Sequence, residues 1–290
     1  MATYEIDVEE VEYLRHGDKP LLARVYKPRG AGPFPAVVEA HGGAWVSGDR
    51  ANNENINLAV AKGGVVVFAI DFRNPPEATY PASVADMNYA VRWLKANAGR
   101  FNTRAELIGT MGTSSGGHLA VLVAMKPQDP RYAAIALTSA PSVDAKVPFV
   151  VSLWPVICPI GRWNDRIARE SRNEPNYRTR NGHIQQQYWL TEEAMTEGSP
   201  NLALQRGDKV ELPAMIYLQN PIDTLHPREN LESFVAGYRK AGGSLQLEFF
   251  EGKAYDLVRT DPESEAARGA VAKIIAFVRK QAETQTARAA

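Results

Sequence analysis

Cysteine is almost missing from this chain of 290 residues. Cys158 stands alone, which excludes an internal disulfide and fits a reducing compartment. Its neighbours Val156, Ile157, Pro159 and Ile160 mark it as core filler rather than a nucleophile. An excess of one charge is also missing. Thirty-three basic residues balance 33 acidic ones, so no basic stripe predicts nucleic acid as a partner and no polybasic run favours an anionic membrane surface. No apolar run approaches the roughly 20 residues that a membrane-spanning helix needs. The opening Met-Ala-Thr-Tyr-Glu-Ile-Asp has neither the positive nor the apolar region of a secretion signal, so a cytoplasmic location is expected. Histidine is scarce too: His16, His41, His118, His183 and His226 are all there are, and none follows position 226.

What is present is the alternation of strands and helices. Residues 4–14 and 21–27 read as antiparallel strands turned at Gly17-Asp18. The runs 35–40 and 64–70 are short, β-branched and glycine-flanked, as buried strands are. Val84, Met87, Val91 and Leu94 fall on one helical face behind Pro81. Further strands are predicted at 105–111, 132–138, 213–219 and 244–250. Amphipathic helices are predicted around Leu231–Tyr238 and Ala267–Val278. The pattern implies an α/β fold with a mostly parallel sheet covered on both faces. Residues 1–140 and 197–281 would form this core, and 282–290 a polar, frayed tail. Residues 141–196 break the alternation with prolines and aromatics (Trp154, Trp163, Tyr177, Tyr188, Trp189) and read as a helical cap insertion. A cap over the carboxyl edge of the sheet would bring aromatic side chains to a ligand pocket, suiting a small molecule with an apolar or aromatic portion. An unpaired edge strand or helix offers a route to a homodimer.

The chemistry concentrates in two glycine-rich turns. Gly112-Thr113-Ser114-Ser115-Gly116 has the Gly-x-Ser-x-Gly form of a nucleophile elbow, between an apolar strand and a helix-forming run. His41-Gly42-Gly43-Ala44-Trp45 follows an earlier strand. Backbone N–H groups of Gly42, Gly43 and Ala44, with that of Ser115 after the elbow serine, suit an oxyanion hole. His41 would then position the loop.

His-Gly-Gly-Ala-Trp, Asp71-Phe72-Arg73, Tyr80-Pro81-Ala82 and Ser-Ser-Gly-Gly-His, in this order, resemble the hormone-sensitive-lipase and carboxylesterase branch of the α/β-hydrolases, over roughly residues 20–140 and 197–280. The resemblance implies esterase or lipase activity, no metal or other cofactor, and a triad in the order serine, acid, histidine. Ser114 is then the nucleophile and Asp223 the acid. The branch carries its histidine in a Gly-x-x-His loop after the last strand, and here Gly252-Lys253-Ala254-Tyr255 puts Tyr255 in that place. The expected catalytic set is therefore Ser114 and Asp223, Tyr255 at the usual histidine position, and a triad without its usual base. His226, three residues past Asp223, is a candidate replacement, and Lys253 another if buried. His118 reads as a core residue. Trp45, Trp154, Trp163, Tyr188 and Trp189 are the expected substrate-binding aromatics.

Four readings stay open at this level. The chain is a serine-type hydrolase of small esters with an altered triad, a catalyst of non-hydrolytic chemistry using Tyr255 as proton donor, or a ligand-binding protein. The last reading has a parallel in the plant gibberellin receptors, which resemble this branch and lack the histidine. Alternatively, Tyr255 is an introduced substitution in an ordinary esterase.

Overall fold

Alternating burial makes a hairpin of the first two strands, β1 (Ile6–His16) and β2 (Lys19–Pro28), which turn at Gly17 with a positive φ of 55°. The computed structural model describes residues 3–172, 174 and 180–289, with side chains described except at 180–183 and 289. After the hairpin the chain runs through β3 (Ala36–Ala40), α1 (Glu54–Lys62), β4 (Val66–Ile70), α2 (Ala82–Ala96), β5 (Ile108–Thr113) and α3 (Ser114–Met125). It continues with β6 (Phe149–Leu153), α4 (Pro159–Ser171), α5 (Arg180–Trp189), α6 (Glu192–Glu197), α7 (Pro200–Arg206) and β7 (Ala214–Gln219). The last elements are α8 (Arg228–Lys240), β8 (Leu245–Phe249), α9 (Leu257–Thr260) and α10 (Glu265–Ala289).

The strands form one eight-stranded sheet in the order β1-β2-β4-β3-β5-β6-β7-β8. It is antiparallel through β1, β2 and β4 and parallel from β4 onward. The central strands β3, β4, β5 and β6 are buried along their whole length, as strands covered on both faces must be. The α/β-hydrolase sheet expected from the sequence is thus present. After β3 the chain moves to one side, into β4, and then returns to the other side of β3 as β5. This reversal opens a crevice at the carboxyl ends of β3 and β5, the place where open α/β sheets hold ligands.

Three expectations need correction. Residues 132–138 form no strand. The position between β5 and β7 is filled by Phe149-Val150-Val151-Ser152-Leu153, buried throughout and paired with both neighbours. The run Tyr132-Ala133-Ala134-Ile135-Ala136-Leu137-Thr138 has the right alternation, but alanine is a weak strand former. The run is anchored instead as a turn by Tyr132, buried with its hydroxyl 2.5 Å from that of Tyr80. A core strand therefore lies inside the span assigned to the cap, and the helical insertion starts only after Trp154. The tail from 282 is helical rather than frayed, because α10 runs on to Ala289. Its Ala, Glu, Gln and Arg residues favour helix, and the Thr284 and Thr286 hydroxyls donate to carbonyls one turn back. Tyr177 lies outside the described residues.

Candidate active site

The elbow is strained where a nucleophile needs it to be. Ser114 adopts φ 51°, a left-handed conformation disfavoured for any residue but glycine. The turn is tight enough that a Cβ on Gly116 would come within 2.0 Å of the Ala40 carbonyl oxygen, and one on Gly112 within 2.4 Å of that of Gly116. Glycine at these places lets β3, β5 and α3 converge. Ala40 pairs in register with Gly112, so the loop after β3 begins beside the serine. Along that loop Gly43, Ala44 and Trp45 all have positive φ. Gly42, Gly43 and Ala44 line the cavity in front of Ser114. Ser115 sits in the first turn of α3, where N–H groups have no partner within the helix. His41 is buried, stacked on Phe72 and within 2.6 Å (Nδ1) of the Gly42 carbonyl, as a loop-positioning residue should be.

An imidazole reaches Ser114 from the same loop as Asp223. His226 Nε2 lies 3.1 Å from Ser114 Oγ, and His226 Nδ1 lies 2.7 Å from Asp223 Oδ2. Local chemistry explains the arrangement. Asp223 Oδ1 accepts the N–H groups of Leu225 at 2.9 Å and His226 at 3.1 Å, an aspartate turn that folds the chain back on its own side chain. The Gln219 amide donates to the His226 carbonyl at 3.1 Å. Pro227 then fixes the start of α8. His226 is 4% exposed and borders the cavity in front of Ser114. With Nδ1–H donated to the carboxylate, Nε2 is the acceptor for the serine hydroxyl.

Tyr255 sits where the resemblance places it, but as a wall. Its ring lies 5.7 Å from that of His226 and edge-on to Trp154 at 6.3 Å. Burial raises its phenol above the usual range, so it stays protonated. Among the described residues Asp223 accepts from residues 225 and 226, and no hydrogen bond joins it to the Tyr255 hydroxyl. Asn220 explains how the two loops stay together, since its amide donates to the carbonyls of Gly252 (3.3 Å) and Ala254 (3.0 Å). Lys253 is exposed and does not line the cavity. The clue to His226 in the sequence was the Asp-x-x-His-Pro spacing. It puts acid and imidazole within one turn's reach.

The expected aromatic pocket is also corrected. Of the five aromatics named above, Trp154 lines the cavity, while Trp45, Trp163, Tyr188 and Trp189 are buried in packing. Trp45 stacks on Tyr188 at 5.7 Å and meets Trp189 edge-on at 5.2 Å. His118 joins the cluster, accepting from Trp45 Nε1 (3.2 Å) and donating to the Gly198 carbonyl (2.7 Å). Burial pushes its pKa down to about 4, so it is neutral, as this pairing requires. Large aromatics gain more by uniting cap and core than by facing water. The cavity, about 240 Å³, is instead walled by Arg162 and Arg166 of α4, Ile184 and Gln185 of α5, and Asp256 and Arg259 beside Tyr255. Beneath its floor Asn53 donates to Glu39 (2.7 Å) and to Thr113 Oγ1 (2.9 Å). Among the described residues no group of three His, Cys, Asp or Glu side chains could hold a metal, and no helix is long and apolar enough to cross a membrane.

Known proteins resemble this chain in sequence and in fold. The BD-FAE family model matches residues 24–197, more than half of the chain. Esterase LipC of Mycobacterium tuberculosis is 30% identical over 245 residues, which cover 81% of this chain and 57% of LipC, so the chain spans little more than half of that relative. An arylesterase of Saccharolobus solfataricus is 31% identical over 46% of this chain and 42% of its own. Among solved structures, the hyperthermophilic esterase of Pyrobaculum calidifontis superposes with a TM-score of 0.76 at 26% identity, over 96% of this chain and 87% of its own. Esterase 2 of Thermogutta terrifontis (TM-score 0.73, covering 94% of each chain) is 22% identical and supports the fold alone. The chain belongs to the BD-FAE family, and its fold is that of the α/β-hydrolase esterases.

Proposed function

We propose that this protein hydrolyses small carboxylic esters, with Ser114 as nucleophile, His226 as general base and Asp223 as the acid that orients it. The observation that carries the reading is the continuous chain from Ser114 Oγ through both nitrogens of His226 to Asp223. It supplies the base that the Tyr255 loop lacks. The names and folds of the relatives support ester hydrolysis as the reaction.

The steps follow from the placement. His226 Nε2 takes the hydroxyl proton as Ser114 Oγ attacks the ester carbonyl, and Asp223 stabilises the imidazolium through Nδ1–H. Negative charge develops on the carbonyl oxygen, where N–H groups from Gly42, Gly43, Ala44 and Ser115 are the candidate donors. The imidazolium returns its proton to the leaving alcohol, and the acyl-serine forms. Water attacks it by the same relay in reverse, releasing the acid. Tyr255 closes one side of the imidazole and excludes water without taking a proton.

A fluorophosphonate probe tests the reading. Phosphonylation of Ser114, found by peptide mass spectrometry, together with turnover of p-nitrophenyl butyrate that Ser114→Ala abolishes, is the expected result. An unlabelled Ser114 in a folded protein that turns over no ester contradicts it.

A further inference from the structure

A buried polar chain runs beneath the nucleophile, and the proposed triad does not use it. Asn53 is the residue that opens α1, yet its side chain makes no capping bond to that helix. Asparagine is favoured at this position because its side chain usually accepts an orphan helix N–H. Here the amide is turned elsewhere. Asn53 is 1% exposed and borders the cavity in front of Ser114. Its Nδ2 donates to Glu39 Oε1 at 2.7 Å and to Thr113 Oγ1 at 2.9 Å. Asn57, four residues on in α1, donates to Glu39 Oε2 at 3.1 Å.

The points of attachment matter. Glu39 leads into Ala40-His41-Gly42-Gly43, and Thr113 directly precedes Ser114. The parallel ladder pairs β3 with β5 as far as Ala40 and Gly112. Beyond that rung, among the described residues, no strand pairing joins the Gly42-Gly43 loop to the elbow, and the Asn53 amide crosses there. Thr113 is also where the two turns meet. A Cβ on Gly42 would lie 3.3 Å from Thr113 Oγ1 and 3.4 Å from Ser114 Cβ. A hydrogen bond at the hydroxyl of this β-branched residue fixes its rotamer. Apolar packing alone would not produce the arrangement. A carboxyl on the fully buried β3 has a desolvation cost that a valine avoids. Asn53 Oδ1 is left buried without a partner. Turning the amide over would set that oxygen against the Glu39 carboxyl.

We infer that Asn53 is a positioning residue for the reaction: anchored on Glu39, it holds the Thr113 hydroxyl and thereby sets the spacing between the Ser114 elbow and the Gly42-Gly43 loop. The inference rests on the proposed function for the reaction it serves. That spacing counts most as charge develops on the substrate oxygen, so its loss falls on kcat rather than on KM. A displacement of about 1 Å at such a site costs up to about 10²-fold in rate.

Steady-state hydrolysis of p-nitrophenyl butyrate by the full chain tests this, with kcat expressed per folded molecule from circular dichroism. Asn53→Ala and Thr113→Val should each lower kcat about 30-fold and leave KM within about threefold of the parent. Thr113→Ser, which returns the hydroxyl, should recover most of the loss. The double variant Asn53→Ala, Thr113→Val should stay within about threefold of the less active single variant, because all three lose the same hydrogen bond. Independent structural roles would instead multiply to about 10³-fold. Thr113→Val keeps the shape of threonine, so the Thr113 comparison stands even if Asn53→Ala does not fold. Folded single variants with the parent's kcat, a loss confined to KM, a Thr113→Ser as poor as Thr113→Val, or losses that multiply would each overturn the inference. Any of these with intact turnover by the parent removes the role of Asn53 and leaves the esterase. A parent without turnover removes the proposed reaction and this inference with it.

Discussion

His226 is held at its ring, its N–H and its carbonyl, by Asp223 and Gln219, and its proposed role as a displaced base depends on that fixation. A general base must lie within hydrogen-bond reach of its proton at the right tautomer. Asp223 sets that tautomer and also the backbone turn that carries the ring. Asp223→Asn should therefore do two kinds of damage, and kcat for p-nitrophenyl butyrate is expected to fall about 10⁴-fold. Tyr255→His, which would restore activity if the base were missing, should produce no gain, because His226 already occupies the position beside Ser114. A rise in kcat of tenfold or more in Tyr255→His would show the opposite. The grouping of Ser114, Asp223 and the Gly42-Gly43 loop as one candidate site was legible in the sequence because each sits on a local motif. His226 was legible only as one of several stand-ins. Its role depends on a turn made by the aspartate side chain, and no periodicity reports that turn.

At the level of elements, convergence of β3, β5 and α3 positions the nucleophile, and this rests on the absence of a side chain at Gly116. Gly116→Ala would drive its Cβ against backbone carbonyls that cannot swing away. We expect a loss of about 3 kcal/mol or more in urea unfolding, with activity falling in parallel. The cap is joined to the core by Trp45, Tyr188 and Trp189. Trp189→Ala should cost about 3–5 kcal/mol and raise KM more than it lowers kcat, since it loosens the wall that carries the arginines and leaves the triad loops alone. A variant with unchanged urea midpoint would contradict this packing role. The sequence showed most strands because β-branched runs between glycines are distinctive. It hid β6 because an alanine-rich alternation 17 residues earlier, beginning at Tyr132, imitates a strand. It also hid the destination of the aromatics, since composition shows that tryptophans are present but not whether they face a pocket or one another.

Across the whole molecule one buried charge ties stability to pH. Glu39, on β3 and 1% exposed, has its pKa pushed up to about 7 by burial, despite hydrogen bonds from Asn53 and Asn57. A carboxyl with a raised folded-state pKa binds its proton more tightly when folded. Its contribution is intact below the unfolded value of 4.5 and is lost as pH rises to about 7. The shift corresponds to roughly 3 kcal/mol by linkage. Glu39→Gln should accordingly gain thermal stability relative to the parent at pH 8 but not at pH 4.5. An amide flip at Asn53 or Asn57, whose Oδ1 atoms are buried without partners, can supply the acceptor that the new amide needs. An equal melting-temperature difference at both pH values would show that Glu39 does not titrate in this window. The fold itself was the most legible property of all, because an alternating βα pattern admits few topologies.

The account turns on His226 as the base. Steady-state hydrolysis of p-nitrophenyl butyrate by the parent, His226→Gln and Tyr255→Phe measures this directly, with circular dichroism to confirm folding. We predict that His226→Gln lowers kcat by about 10⁴-fold or more, whereas Tyr255→Phe stays within about tenfold of the parent. A folded His226→Gln protein that keeps its activity, or a Tyr255→Phe protein that loses it, would contradict the account.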